Sequence, residues 1–232
     1  VIDDRIKRAF ECVGSLVTEA GGSMVEAAIL LQANSAVATD RVVAMEFWHG
    51  IDLPPNLVLP KLFAQAVLKT NKALSGFGFS DRSVTFWFED GAWLKTQRYS
   101  DEYPGQTIQG FFNCEMFPGA VPEGMFEAVA TVGTFHPLGH VIFAEDKIAS
   151  HASDEEGAQY DVADLPACGS FDSKKLAKCA PYAKTMDGMT YNDRAFFFGG
   201  DGATPVRGIV MKTSQAVEHR QTDYDLNEDI PF

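Results

Sequence analysis

The stretch that decides the fold is residues 29–48, ILLQANSAVATDRVVAMEFW. Apolar runs lie on either side of Asn34-Ser35, a pair typical of turns, and a third apolar run ends the stretch. This pattern predicts consecutive strands joined by short turns. Residues 140–151, HVIFAEDKIASH, carry two similar runs on either side of Asp146-Lys147. A strand–turn–strand motif is therefore present twice.

The two motifs belong to a longer repeat with a period of about 110 residues, which is typical of duplicated domains. In each half a helical pattern comes first, strands follow, a second helix comes next and a β-hairpin closes the unit. The first helices are marked by Ile6, Phe10, Val13 and Val17, and by Met125, Phe126, Val129 and Phe135 after Pro122. The second helices are expected from Pro60 to Leu74 and from Asp172 or Ser173, as the N-cap, to about Met186, with Pro181 shortening the latter. The helical wheel of the first places Leu62, Phe63, Ala66, Val67 and Leu74 on its apolar side. The closing hairpins are expected to turn at Asp90-Gly91 and near Asp201-Gly202.

This order predicts an α+β protein made of two repeated units, each with two helices packed on antiparallel sheet. We expect unit one at residues 1–104 and unit two at 120–212, joined by a connector at 105–119. Residues 213–232 are polar and acidic, and they predict a flexible tail.

The composition is that of an ordinary globular protein, with 46% hydrophobic and 22% charged residues in a chain of 232. Charged residues or glycines interrupt every apolar run before the roughly 20 residues that a membrane span needs. The four cysteines form no CxxC pair, so free thiols of a cytoplasmic protein are expected. The chain begins at Val1, which leaves open whether its N-terminus has been trimmed.

The formal charge of −13 argues against a protein that coats nucleic acid with its whole surface. Ten of the 19 basic residues nevertheless fall on three of the four predicted helices. A single lysine-rich helix face usually indicates only contact with solvent. Three such faces in an acidic chain also fit sequence-independent contact with DNA phosphates. The candidate DNA-binding residues are Arg5, Lys7, Arg8, Lys61, Lys69, Lys72, Lys174, Lys175, Lys178 and Lys184.

Several of these stretches together resemble the DNA polymerase III beta-subunit sliding clamps of bacteria. Residues 29–45 are similar to the strand, turn and "ATD" signature of that family, residues 57–63 to the strand before its second helix, and residues 93–104 to its closing hairpin. Residues 207–211 resemble the last strand of the final clamp domain. The residues resemble the divergent clamps of bacteriophages more than the cellular bacterial clamp. Arg41 follows Asp40 directly, where the bacterial pattern often has Gly and His.

The resemblance implies a non-enzymatic ring of six units around double-stranded DNA, without a cofactor. Clamps with two units per subunit form trimers and those with three form dimers, so this chain implies a trimer if it is complete and a dimer if it is part of a longer subunit. The resemblance also implies a hydrophobic pocket for short peptides of DNA polymerases and of the clamp loader. By motif position, the pocket residues would be Thr39, Pro122, Ile209 and Met211. The alternative interpretation of Ile209 and Met211 is that they are ordinary core residues.

The last residues, Asp229, Ile230, Pro231 and Phe232, resemble the acidic tip with which bacterial single-stranded DNA-binding proteins bind their partners. The tip predicts docking of an aromatic anchor on a basic, apolar site. It also motivates an alternative function, a single-stranded DNA-binding protein. That alternative lacks a strand face on which aromatic and basic residues alternate.

No catalytic or metal-binding motif is found. Neither a GxxxxGK[ST] loop nor a GxSxG elbow is present. His136 and His140 are four residues apart, but Pro137 and Gly139 between them argue against a helical zinc pair. We therefore expect no enzymatic activity and no metal site.

Overall fold

The computed structural model describes residues 4–16, 23–100, 102–152, 157–188 and 195–213. Val17 and the predicted tip Asp229–Phe232 lie outside the described residues.

Unit one folds in the predicted order of helix, strands, helix and hairpin. Its elements are α1 (Arg5–Gly14), β1 (Ala28–Leu31), β2 (Ser35–Thr39), β3 (Val43–Trp48), β4 (Leu57–Pro60), α2 (Lys61–Lys69), β5 (Leu74–Phe79), β6 (Ser83–Phe88) and β7 (Trp93–Gln97).

Unit two repeats this order after α3 (Gly105–Phe112) and the short β8 (Gly119–Ala120). Its elements are α4 (Met125–Val132), β9 (His140–Ala144), β10 (Lys147–Ala149), β11 (Gln159–Asp161), β12 (Gly169–Asp172), α5 (Ser173–Cys179), β13 (Thr185–Asp187), β14 (Ala195–Gly199) and β15 (Val206–Met211). Each element of unit one from α1 to β7 therefore has a counterpart in unit two.

Antiparallel pairing organises the described strands into three sheets. The largest has the order β4-β1-β2-β3-β15-β14-β13-β8, and its centre is the pairing of β3 of unit one with β15 of unit two. The other two are the sheet β11-β10-β9-β12 and the sheet β5-β6-β7. The two units are thus joined through a continuous sheet, and β7 and β11 are edge strands.

The helices α1, α2, α4 and α5 pack on one side of these sheets, which we call the inner side. The main hydrophobic core lies between them and the sheets, with Phe10, Phe86, Phe143, Phe171 and Phe196 among its buried side chains. A second, smaller apolar cluster lies on the opposite, outer side of the eight-stranded sheet, where α3 covers it. This arrangement confirms the predicted fold class, helices packed on antiparallel sheet in two repeated units.

Both second helices are shorter than the sequence predicted. The helix α2 ends at Lys69, where the Thr70 hydroxyl donates to the Val67 carbonyl instead of continuing the helix. The helix α5 ends at Cys179, two residues before Pro181, which cannot supply the next amide donor. The predicted N-cap of α5 is confirmed, because the Asp172 carboxylate accepts from the amides of Lys174 and Lys175.

Two further local predictions were wrong. Leu62 was placed on the apolar side of the second helix, yet it is 73% exposed, because Phe63, Ala64 and Val67 form the buried face of α2. Phe135 was assigned to the apolar side of the first helix of unit two. That helix ends at Val132, and Phe135 closes a short 3-10 turn with its side chain exposed.

The predicted connector is itself structured, since residues 105–119 contain α3. Ile108 and Phe112 of α3 are buried against the outer side of the large sheet. The boundaries of the units stay predictions. Within the described ranges, no helix has the length and apolar character needed to cross a membrane.

Candidate DNA-facing and partner-binding surfaces

An ion pair with a buried carboxylate lies on the outer side of the junction between the units. Glu46 of β3 is only 3% exposed and stands opposite Arg207 of β15. The Arg207 guanidinium contacts Glu46 Oε2 through two nitrogen atoms. Its Nε donates to this oxygen over 2.9 Å, and its Nη2 lies 2.7 Å from the same oxygen. Glu46 Oε1 accepts from Ser35 Oγ (2.7 Å) and from Gln109 Nε2 (3.2 Å). Each carboxylate oxygen therefore has a donor, as a buried charge requires.

The same arginine fixes α3 on the sheet. Its guanidinium carbon lies 4.8 Å from the ring centre of Trp48 and 4.5 Å from that of Phe112, which places it between two aromatic faces. Its Nη2 also donates to Gln109 Oε1 over 3.0 Å. Sequence reasoning missed this site. The available signal was a lone acidic residue in an apolar strand, VAMEFW, in one unit and a lone Arg in the last strand of the other.

The predicted pocket residues Thr39, Ile209 and Met211 lie close together in the sheet. Thr39 pairs with Ala44, which pairs with Ile209. Ile209 is buried in the outer cluster, and the Met211 amide donates to the Val42 carbonyl over 2.8 Å. Met211 is partly buried against the cluster. Apolar residues that share this partly exposed position are Met24, Val25, Tyr99, Phe111, Cys114, Met116 and Met211.

The turn beside Thr39 is tight. Arg41 has a φ of 71°, in the left-handed region that favours glycine. The Thr39 hydroxyl donates to the Val43 carbonyl (2.8 Å) and accepts from the Arg41 amide (3.0 Å). These two bonds hold the turn in which Arg41 adopts this conformation.

Pro122 is not brought together with the other predicted pocket residues. It follows β8, the strand at the far end of the sheet, whereas Thr39 is on β2 and Ile209 on β15. Tyr103, in the segment between β7 and α3, packs in the outer cluster instead, and burial raises the pKa of its phenol. Tyr103 thus extends the outer cluster from the segment before α3, and the pocket itself stays a prediction.

On the inner side, two of the predicted DNA-binding lysines are engaged inside the protein. Lys175 Nζ lies 2.7 Å and Lys178 Nζ 3.3 Å from Asp40 Oδ2. Asp40 follows β2, so this pair also links unit one to unit two. Burial alone would raise the pKa of Asp40, but hydrogen bonds from Lys175 and the Val43 amide and the charges of Lys175 and Lys178 lower it below its ordinary value. The two lysines remain 25% and 30% exposed.

Lys7 is also used internally. Its Nζ donates to the carbonyls of Thr70 (2.8 Å) and Lys72 (2.6 Å) just beyond the end of α2. A cation there stabilises the carbonyl end of the helix. Lys72 Nζ in turn lies 3.9 Å from Asp90 Oδ2. Of the ten predicted residues, Lys7, Lys61, Lys175 and Lys178 are partly buried and the exposed ones are Arg5, Arg8, Lys69, Lys72, Lys174 and Lys184.

The described residues contain no candidate metal site, and a cavity on the outer side lies away from the predicted pocket residues. In the described part of the chain, no group of three or more His, Cys, Asp or Glu is arranged to hold a metal ion. The rings of His136 and His140 stack with centres 5.0 Å apart. A cavity of about 1020 Å³ opens on the outer side of unit one, between Arg82, Arg98 and Tyr103, and none of the predicted pocket residues lines it.

Solved structures with this architecture are bacterial sliding clamps. A Helicobacter pylori beta clamp in complex with 3,4-difluorobenzamide matches with a TM-score of 0.74 at 14% identity, over 92% of this chain and 65% of the clamp. The chain has the fold of the bacterial beta clamps. A Pseudomonas aeruginosa DnaN sliding clamp bound to griselimycin gives 0.72 at 10% identity, over 92% of this chain and 64% of the clamp.

A third structure, the H. pylori beta clamp bound to a DNA ligase peptide, matches with a TM-score of 0.65 at 14% identity, over 90% of this chain and 63% of the clamp. The chain thus spans less than two thirds of the length of these three clamps. No protein-family model matches the sequence. No curated protein matches it either.

Proposed function

We propose that this protein acts as a DNA sliding clamp, a ring around duplex DNA that tethers replication proteins without catalysing a reaction. The observation that carries the proposal is the continuous sheet across the junction, where β3 of unit one pairs with β15 of unit two inside the clamp fold. Each end of the chain has a free edge strand equivalent to one of the two strands paired at this junction. Further copies could therefore pair edge to edge and close a ring.

The two edge strands are complementary in this sense. By position in the repeat, β11 corresponds to β3 and β7 corresponds to β15. Pairing of β11 in one copy with β7 in the next would therefore repeat the junction seen within the chain. Since Glu46 corresponds to Gln159 and Arg207 to Trp93, this pairing would set Gln159 opposite Trp93. Three copies of two units would close a six-unit ring, as would two copies of a longer subunit with one more unit.

DNA would lie against the inner helices. We propose that the exposed residues Arg5, Arg8, Lys69, Lys72, Lys174 and Lys184 contact phosphates, without reading the base sequence. Lys7, Lys61, Lys175 and Lys178 belong to the same proposed surface. However, Lys7 binds the carbonyls of Thr70 and Lys72. Lys175 and Lys178 bind the Asp40 carboxylate. We therefore expect the main role of these three lysines to be structural.

Peptides of a DNA polymerase and of a clamp loader would bind on the outer side, around Thr39, Ile209 and Met211. Tyr103 and the partly exposed Met24 and Met116 extend this surface, and methionine side chains adapt well to varied apolar partners. We expect Met211→Ala to weaken binding of such a peptide while the chain stays folded. The control is Leu138→Ala, an exposed apolar residue outside the outer cluster. Unchanged peptide affinity in folded Met211→Ala would place the pocket elsewhere.

The ring is tested by a cross-link between copies. Trp93→Cys and Gln159→Cys in one chain should form disulfide-linked multimers under oxidation, ending at a closed species that runs as a discrete band. Each single variant controls for reaction of the native cysteines, of which Cys12, Cys168 and Cys179 are buried. A solution mass of one chain, with no cross-linked multimer, would contradict the proposal.

A further inference from the structure

In both units, the residue that follows the last strand makes an equivalent backbone hydrogen bond. After β7, the Tyr99 amide donates to the Val58 carbonyl of β4 over 3.0 Å. After β15, the Thr213 amide donates to the Ser170 carbonyl of β12 over 2.9 Å. Val58 and Ser170 are each the second residue of their strand, and β4 and β12 are counterparts. Tyr99 and Thr213 are therefore equivalent exit residues of the two units.

In unit one this route leads to the junction. From Tyr99 the chain passes Tyr103 and forms α3, and Phe112, thirteen residues after Tyr99, lies 4.5 Å from the Arg207 guanidinium. The segment that leaves one unit thus covers the outer side of its junction with the next. Arg207 therefore contacts α3 as well as the adjacent strand.

In β7 of unit one, Trp93 occupies the position that Arg207 occupies in β15 of unit two. Each of the two residues lies six positions before its exit residue, Arg207 before Thr213 and Trp93 before Tyr99. Trp93 is 60% exposed, and Trp87, its partner across the strands, is 40% exposed. Two large aromatic side chains and the exposed Lys95 therefore form a surface at the free edge of unit one. We call these three residues the Trp87–Trp93 face.

We propose that residues 214–232 of one copy follow the route of α3 across unit two and cover the Trp87–Trp93 face of the neighbouring copy. This inference rests on the proposed ring. Thirteen residues after Thr213 the sequence reaches Leu226, the counterpart of Phe112, and six more residues follow. Thirteen extended residues span roughly 45 Å, more than the roughly 20 Å across four strands. The segment is therefore long enough to reach the Trp87–Trp93 face.

The chemistry of the segment fits the face. Apolar residues alternate with acidic ones near its end, in the stretch DYDLNEDIPF at residues 223–232. Aromatic and aliphatic side chains would pack on Trp87 and Trp93, and the carboxylates would lie near Lys95. On the way, the outer side of unit two offers the partly buried Ile142 and Ala144 and the cation of Lys147.

A photo-cross-link tests the contact in the full chain. A benzophenone amino acid at position 93 should capture a peptide from residues 214–232 of a second copy, giving a band of twice the chain mass. The matched control is the same group at position 117, where Phe117 is also exposed but lies beside β8. The cross-link should disappear when Tyr224→Ser and Leu226→Ser are combined. Capture of any other segment, or a cross-link indifferent to these changes, would overturn the inference.

A second readout leaves Trp93 in place. In protein labelled with 5-fluorotryptophan, Tyr224→Ser with Leu226→Ser should shift the fluorine resonances of Trp87 and Trp93 and leave that of Trp48 unchanged. No shift in an assembled ring would overturn this inference alone, and the ring would stand. A single-chain mass would overturn the ring and this inference together.

Discussion

A buried carboxylate is neutralised on each side of the junction, by an arginine on the outer side and by two lysines on the inner side. On the outer side, Glu46 is matched by Arg207 on the adjacent strand, whose guanidinium lies between two aromatic rings and whose side chain is 24% exposed. On the inner side, Asp40 is matched by Lys175 and Lys178, which keep about a quarter of their side chains exposed. The exposures on the two sides are therefore alike, and the difference lies in the contacts. The guanidinium of Arg207 also binds Gln109 of α3 and two aromatic rings, whereas the lysines lie on the side on which we place DNA.

The difference teaches how to interpret basic residues in this fold. Both carboxylates are buried, but a planar guanidinium can make several directed hydrogen bonds at once, whereas a flexible ammonium group acts as a compact charge. A lysine on an inner helix can therefore neutralise a neighbouring unit rather than bind DNA. Removal of the outer pair should cost more than removal of the inner pair.

The largest effect is expected for Arg207→Ala. It leaves Glu46 buried without its cation and frees α3 from one of its anchors, so the free energy of unfolding should fall by about 3–5 kcal/mol. Urea denaturation followed by circular dichroism measures this loss. The control is Arg82→Ala at an exposed position. Glu46→Gln combined with Arg207→Met should recover part of the loss, and a double variant no more stable than Arg207→Ala would argue against the ion pair as the cause.

The next effect is a pH dependence from His49, a buried residue next to the junction. Burial and the nearby charge of Arg5 lower the pKa of His49 to about 4, against the opposing effect of its backbone contact with Ser35. The folded protein thus favours the neutral ring. This contribution is fully present above about pH 6.5 and is lost as the pH falls towards 4, by at most about 3 kcal/mol. Unfolding free energies between pH 7 and 4 measure it.

The matched variant is His49→Asn, whose side chain can still accept from the Ile51 amide as His49 Nδ1 does. It should flatten the stability profile in this pH window. A profile as steep as that of the unchanged protein would mean that another group causes the loss.

Asp40→Asn should have a smaller effect, about 1–3 kcal/mol, because the amide keeps the backbone hydrogen bonds and the released lysines are partly solvated. The pKa of Asp40 is lowered in the folded state, so its contribution is present above the ordinary pKa and is lost as the pH falls through the folded value. Chemical denaturation at neutral and acidic pH checks both statements. A loss as large as that of Arg207→Ala would remove the proposed difference between the two sides.

The smallest effect on stability, within about 0.5 kcal/mol, is expected for Lys174→Ala with Lys184→Ala, since both side chains are exposed. These changes should instead weaken the salt dependence of DNA binding. In a plot of the logarithm of the binding constant against the logarithm of the salt concentration, the slope should decrease in magnitude by about 0.9 for each phosphate that the variant no longer neutralises. Lys175→Ala with Lys178→Ala is the matched pair, expected to lower stability more and the slope less. The opposite ranking would return Lys175 and Lys178 to the DNA surface as their main role.

The sequence predicted the repeat and most strands because hydrophobic periodicity and turn residues are local signals. The hairpins at Asp90-Gly91 and Asp201-Gly202 and the Asp172 cap needed no knowledge of the rest of the chain. Helix ends were less accurate. The predicted burial of Leu62 was wrong because the helical wheel did not fix which residues of α2 meet the core.

The site was harder to predict because it depends on pairs far apart in the chain. Nothing local distinguishes Lys175, which binds Asp40 across 135 positions, from the exposed Lys174 beside it. Pro122 was assigned to the pocket from motif order. The outer cluster instead contains Tyr103, at the end of predicted unit one, and Ile108, in the predicted connector. The Glu46–Arg207 pair spans 161 positions and had no motif.

The most direct measurement of the central claim is retention on circular DNA after the ring has been closed covalently. The protein with Trp93→Cys and Gln159→Cys is oxidised in the presence of a closed plasmid and washed at about 1 M salt, where charge–charge interactions are screened within roughly 3 Å. We predict that the protein stays on the circle and is released when the plasmid is cut once. Equal loss from circular and linear DNA, or stoichiometric binding of single strands that survives the wash, would contradict the account.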